Sequence, residues 1–307
     1  MHLPVLSLAS LDCVPGADEW WLMKEAVKRN PSLTLYGLPW NWPGWIATDA
    51  NATEGVFAQC QNASVPASEK MPWCSTDGKC IPLPEDNYPG HGDGNMAPCD
   101  PFSDNARTAS YITNWVACAK HSHNLTISWI GIWNESPWNP DYILELRKQL
   151  DEAGLQATKI IGGDGNIVDL AKALQKNETV ASAVKALGKH YPGYQGNEAD
   201  AGIPSELGIP LYASEDYSTY SDANGAGCWA RSLVLNACNN YTATISWYLL
   251  GAFSRGIIYD SDGFVRAEWP KSGHWEPTPM LCKSKQAVAQ HFAASIKISP
   301  FSRCEQG

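Results

Sequence analysis

Short apolar runs alternating with amphipathic stretches are what most restrict the architecture of this chain. Runs at Leu33–Pro39, Leu125–Trp133, Lys159–Gly163, Ala186–His190, Leu211–Ser214 and Ala243–Leu250 have the length and composition of buried strands. Between them, Ala106–Ala119, Tyr142–Glu152, Ile167–Gln175, Thr179–Val184 and Ala226–Asn236 repeat apolar residues at helical spacing. A further helix is expected over Asp18–Lys28, stopped by Asn30-Pro31, and a last one over Lys285–Ser295. Such alternation gives an α/β fold with a parallel sheet, and at 307 residues a (β/α)8 TIM barrel is the expected form. Only six strands are recognisable where closure needs eight. Because a helix precedes the first strand, residues 1–307 are expected to be a partial barrel, incomplete at the N-terminus.

Residues 47–104 interrupt the alternation and read as an inserted Cys-rich segment. Turn pairs recur there (Asp77-Gly78, Pro89-Gly90, Asp93-Gly94), together with Cys60, Cys74, Cys80 and Cys99. So little apolar material needs covalent restraint, and two disulfides would supply it, in any of three pairings. Structural zinc is the rival reading, but no short C-x2-C or H-x3-H spacing is present. N-x-S/T sequons at Asn51, Asn62, Asn124, Asn177 and Asn240 fit an oxidising, glycosylating compartment. Asn134 heads another, but it is expected to be buried in a site. The first ten residues lack a basic n-region, so the expected route is lysosomal or secreted with the true N-terminus missing. No apolar run reaches 18 residues, so no membrane span is expected. A net charge of -10 argues against nucleic acid as a partner.

Two strand ends carry the chemistry. In Ile130-Gly131-Ile132-Trp133-Asn134-Glu135 an apolar strand runs directly into Asn-Glu. Barrel enzymes build their sites at that end. Flanking Trp133 and Trp138 would desolvate Glu135 and help it hold a proton, as a general acid must. In Ile209 to Asp216 a second apolar strand ends in Glu215. Two strands lie between these carboxylates, so they occupy strands four and seven once two missing strands are allowed for. Carboxyls about 5–5.5 Å apart would hydrolyse a glycoside with retention, and about 6.5–9.5 Å with inversion. The 14 tryptophans fit sugar stacking, with core packing as the competing explanation. This chemistry calls for no metal or organic cofactor.

The segments EWWLMKEAVKRNPSLTLYGLPWNWPGW, SWIGIWNES, LRKQLDEAGLQATKII, KHYPG, SEDYST and GAGCWARSL resemble glycoside hydrolase family 59. That resemblance implies a retaining β-galactosidase for galactosylceramide-type glycosphingolipids, with Glu135 as acid/base and Glu215 as nucleophile. It places Asn134 on the sugar 2-hydroxyl and Trp40 and Trp247 as pocket walls. Ser218 and Tyr259 would contribute hydroxyls, and His190 and Tyr191 would face the same mouth. It makes Cys228 a disulfide candidate, and a saposin-like lipid-transfer protein a partner. The family's first two strands, β-sandwich and lectin-like domain are not recognisable, nor is its galactose-binding Arg, so weak activity or none is expected. The alternatives are a galactanase or glucosylceramidase-like relative, or a non-catalytic sugar- or lipid-binding remnant.

Overall fold

The computed structural model describes residues 13, 17–40, 42, 46, 101–165, 167–192, 207–216, 222–247, 249–253, 263–268 and 274–281. They fall into two compact units, one up to Leu187 and one from Gly188. Cys60, Cys74, Cys80, Cys99, Asn51, Asn62, Ser218, Tyr259 and the helix expected at 285–295 lie outside the described residues. Among the described residues no helix is long and apolar enough to cross a membrane.

The first unit holds α1 (Ala17–Arg29), β1 (Leu35–Gly37), a short 3-10 helix (Pro101–Asp104), α2 (Asn105–His123), β2 (Ile127–Gly131), α3 (Pro140–Glu152), β3 (Lys159–Asp164), α4 (Ile167–Lys176), α5 (Glu178–Ala183) and the start of β4 (Val184–His190). Local chemistry sets the helix starts. The Asp104 carboxylate accepts from the Arg107 N–H at 3.0 Å, and Asn139 does the same for Tyr142, with Pro140 in the first turn. Each satisfies a donor that has no partner within its helix. α3 then buries Tyr142, Ile143, Leu146 and Leu150, a single stripe at helical spacing.

Strand order in this unit is β1-β2-β3-β4, and the β1/β2 and β2/β3 pairs are parallel. Consecutive residues such as Ile160 and Ile161 are buried, as in a sheet covered on both faces. At Gly131 an added Cβ would come within 2.5 Å of Leu38 Cδ1 and 2.7 Å of the Tyr36 hydroxyl, so the Tyr36 and Leu38 side chains lie over a bare backbone.

Several tryptophans are structural. Trp42, Phe102, Trp133 and Tyr142 pack together, with Trp42 6.3 Å from Trp133 and from Tyr142, and Phe102 4.9 Å from Tyr142. Trp20 stacks on Trp115 and His123 at 5.4 and 4.4 Å. A Cys13–Cys118 disulfide, 105 residues apart in sequence, adds a covalent tie to α2.

The second unit continues from β4 to β5 (Leu211–Asp216), α6 (Ala223–Cys238) and β6 (Tyr241–Ser246), with β5 and β6 parallel. A separate three-stranded sheet follows: β7 (Leu250–Phe253) is parallel to β8 (Val265–Glu268), which is antiparallel to β9 (Trp275–Pro277). The run Ala243–Leu250, expected as one strand, is therefore divided. β6 ends at Ser246, and β7 takes its hydrogen bonds from β8. Apolar content marks such a run without saying which neighbour its backbone will choose. The α/β class is present, and β1 to β6 overlap the six expected runs, the last only in its first part, with a described helix in every connection but that from β4 to β5, an alternation like that of a (β/α)8 barrel.

Candidate active site

In the first unit the site residues follow from the way β2 ends. The Asn134 N–H donates to the Pro39 carbonyl at 2.9 Å, which holds the end of β2 to the segment after β1. Ser136 Oγ donates back to the Asn134 carbonyl at 2.8 Å. Between them Glu135 sits in the left-handed region, at φ 47°. A non-glycine residue there costs about 1–3 kcal/mol and persists only where its surroundings enforce it. Glu135 is half-buried, while Asn134 is 3% exposed. The Asn134 side-chain oxygen Oδ1 is buried and has no hydrogen-bond partner among the described residues. Such an atom costs about 1–3 kcal/mol of stability, which a ligand donor would recover. Trp40, just past Pro39, is 40% exposed, so its ring is open to contact.

In the second unit, β5 delivers Glu215 through a bulge. Ala213 pairs with Thr244 and Asp216 with Ser246, so three steps on β5 face two on β6. Bulges of this kind re-aim a side chain, and they recur beside active sites. Glu215 is 5% exposed. The Tyr191 hydroxyl donates to Glu215 Oε1, and His190 Nδ1 stands 3.7 Å from the same oxygen. The Tyr191 N–H donates to the Glu215 carbonyl at 2.7 Å, so both the backbone and the carboxylate of Glu215 are addressed by one residue. Tyr191 itself is in the left-handed region, at φ 54°, and its ring meets that of His190 edge-on at 5.6 Å. Trp247 is half-buried, and its N–H donates to the Asp216 carbonyl at 2.8 Å.

The structure thus brings His190, Tyr191 and Glu215 together within the second unit, and Asn134 and Glu135 into one strained turn within the first. Asn124, Asn177 and Asn240 are exposed, whereas Asn134 is buried. Asn177 also caps α5, accepting from Thr179 and Val180. Cys228 and Cys238 carry thiols among the described residues, half-buried and exposed respectively.

Three features escaped the sequence reading. Cys13–Cys118 has no local signature at its separation. Asp164 is a buried carboxylate at the end of β3, at φ 97°, and only its glycine-flanked position (Gly162-Gly163-Asp164-Gly165) hints at it. Asp216 and Asn236 form a buried hydrogen bond of 3.0 Å; the visible signal was the second acid directly after Glu215.

Comparison with known proteins bears on most of the chain. The family model described as glycosyl hydrolase family 59 matches residues 8–67 and 83–291, and of the segment read as an insertion it passes over only 68–82. Galactocerebrosidase from Danio rerio is 38% identical over 258 residues, covering 84% of this chain and 31% of that protein. Galactocerebrosidase from Homo sapiens is 34% identical over 258 residues, covering 84% and 30%. The chain therefore spans about a third of the length of these relatives. Among solved structures, the endo-beta1,6-glucanase BT3312 matches with a TM-score of 0.61 at 16% identity, covering 88% of this chain and 58% of that one. SrfJ from Salmonella typhimurium matches at 0.60 and 14% identity, covering 86% and 55%. At those identities the two structures speak for the fold alone, and the family match speaks for descent: this chain belongs to glycosyl hydrolase family 59.

Proposed function

We propose that this chain carries the catalytic residues of a retaining β-galactosidase acting on galactosylceramide-type glycosphingolipids. The observation that carries the reading is Glu215, a buried carboxylate at a bulged strand end whose Oε1 accepts from Tyr191 and lies beside His190. Its supporting context is membership of the family and the galactocerebrosidase relatives.

Glu215 attacks the anomeric carbon while Glu135 donates its proton to the departing oxygen, giving a galactosyl ester and a free alcohol. Glu135, now a carboxylate, takes a proton from water; the water oxygen displaces Glu215, and the configuration is retained overall. The orphaned Asn134 Oδ1 accepts from the sugar 2-hydroxyl, a bond that strengthens as the ring gains oxocarbenium character. Trp40 and Trp247 flank the sugar. The family resemblance alone adds Ser218 and Tyr259 as hydroxyl donors to that sugar.

Ceramide leaves as an aliphatic alcohol, so the reaction depends on the proton from Glu135. Such a lipid is poorly available from water, which is the reason to expect a saposin-like transfer protein as partner. The Cys13–Cys118 disulfide and the exposed sequons at Asn124, Asn177 and Asn240 support a lysosomal or secreted location.

The test is a series of aryl β-galactosides of graded leaving-group ability, with β-glucosides for comparison. Glu135→Gln is expected to lose about 10²–10⁴-fold on poor leaving groups and far less on good ones. Equal losses across the series would remove Glu135 from the acid role, and preference for glucosides would remove the galactoside assignment.

A further inference from the structure

The bulge beneath Glu215 is spanned by a buried polar bridge that hydrolysis itself does not use. One residue too many lies on β5 between Ala213 and Asp216. A strand has a side-chain period of two, so a slip of that extra residue by one position would turn the carboxylate to the other face. Asn236, on α6 and 1% exposed, stands against the slip. Its Nδ2 donates to Asp216 Oδ2 at 3.0 Å and to Thr244 Oγ1 at 3.1 Å. Thr244 is the partner of Ala213, where the bulge opens, and Asp216 is the residue at which it closes. A single amide therefore bridges both ends of the bulge. Asp216 is fully buried, and its carbonyl also takes the Trp247 N–H.

Burying an acid and an amide here is costly compared with an apolar pair of the same shape, which would serve packing alone as well or better. The Asn236 Oδ1 also has no partner among the described residues, so what this amide bonds, it bonds through its nitrogen.

We propose that Asp216 and Asn236 are positioning residues: their hydrogen bond, extended to Thr244, clamps the β5 bulge and fixes the direction in which Glu215 is presented. The proposal rests on the reading of Glu215 as the nucleophile.

The experiment uses the full chain with Asn236→Asp, the exchanged pair Asp216→Asn/Asn236→Asp, and Thr244→Val. Asn236→Asp removes the amide that donates to both partners and sets a second acid against Asp216, a pair that must share a proton or repel. The exchanged pair restores an amide-to-carboxylate bond with the partners reversed, and the Thr244 hydroxyl can donate to the new acid. One readout is the limiting rate and half-saturation of covalent labelling by 2-deoxy-2-fluoro-galactosyl fluoride. The other is hydrogen exchange over 211–216 and at Trp247, which needs no turnover.

Asn236→Asp is expected to slow limiting labelling about 10–100-fold, with half-saturation changed less than about threefold, and to raise exchange at both strand ends. The exchanged pair should return the rate to within about threefold of wild type, and Thr244→Val should lose only about threefold. Unchanged exchange and labelling in Asn236→Asp, or no recovery in the exchanged pair, overturns the clamp. Should Asn236→Asp fail to fold, the exchanged pair decides: recovery supports the clamp, and a second failure overturns it. A wild-type chain that is never labelled, yet shows the exchange response, overturns the nucleophile reading and leaves the clamp standing.

Discussion

Replacing Tyr142 by Phe removes one oxygen from the centre of the aromatic cluster behind Trp133, and the structure sets both the sign and the size of the effect. The ring is fully buried, and its hydroxyl has no hydrogen-bond partner among the described residues. An unsatisfied buried hydroxyl costs about 1–3 kcal/mol, so Tyr142→Phe should be neutral or up to about 1–2 kcal/mol more stable at pH 7. Burial also pushes the Tyr142 hydroxyl far above its ordinary pKa. Below pH ~10 the folded and unfolded states both keep this proton, and nothing changes with pH. Above it the unfolded chain releases the proton while the folded chain holds it. Stability then falls by about 1.4 kcal/mol per pH unit from this group. Tyr111 and Tyr212, whose values burial also raises, remain in both proteins, so the difference between the two isolates Tyr142. Urea unfolding followed by Trp fluorescence at pH 7 and 11 measures both effects. The advantage of the variant should widen by about 1.4 kcal/mol between those pH values. A variant less stable than wild type at pH 7, or a gap that does not widen, would refute the reasoning.

Cys118→Ser opens a loop of 105 residues; the entropic argument gives a loss of up to about 4–5 kcal/mol, seen as a lower denaturation midpoint that reduction of the wild type reproduces. Gly131→Ala places a methyl against the ends of the Leu38 and Tyr36 side chains, which must move aside, and should cost about 1 kcal/mol in chemical denaturation; an unchanged midpoint would show that both give way freely. Asn139→Ala removes the cap of α3 and should cost about 1 kcal/mol, most of which Asn139→Ser should restore.

The two strands that lead to the candidate acids were legible because apolar runs of this kind have few other uses. An apolar strand running into Asn134-Glu135, and another into Glu215, can be read without coordinates. What each strand does next was not legible. The division of 243–250 into β6 and β7 depends on which backbone accepts the hydrogen bonds. The left-handed turns at Glu135 and Tyr191 are imposed by tertiary contacts against local preference. Tryptophan abundance pointed two ways, and burial answers for one of them: Trp20, Trp42, Trp133 and Trp229 are core, while Trp40 is 40% exposed. Asn236 could not be told from an ordinary helix residue, because its meaning lies in a strand bulge that sequence does not display.

The central claim is that Glu215 is the nucleophile. A single covalent event reports on the nucleophile more directly than a steady-state rate. Incubation with 2-deoxy-2-fluoro-galactosyl fluoride followed by peptide mass analysis should find one fluorogalactosyl group, on the peptide containing Glu215, and none in Glu215→Gln. Label on any other residue, or a folded chain that takes up none, would contradict the account.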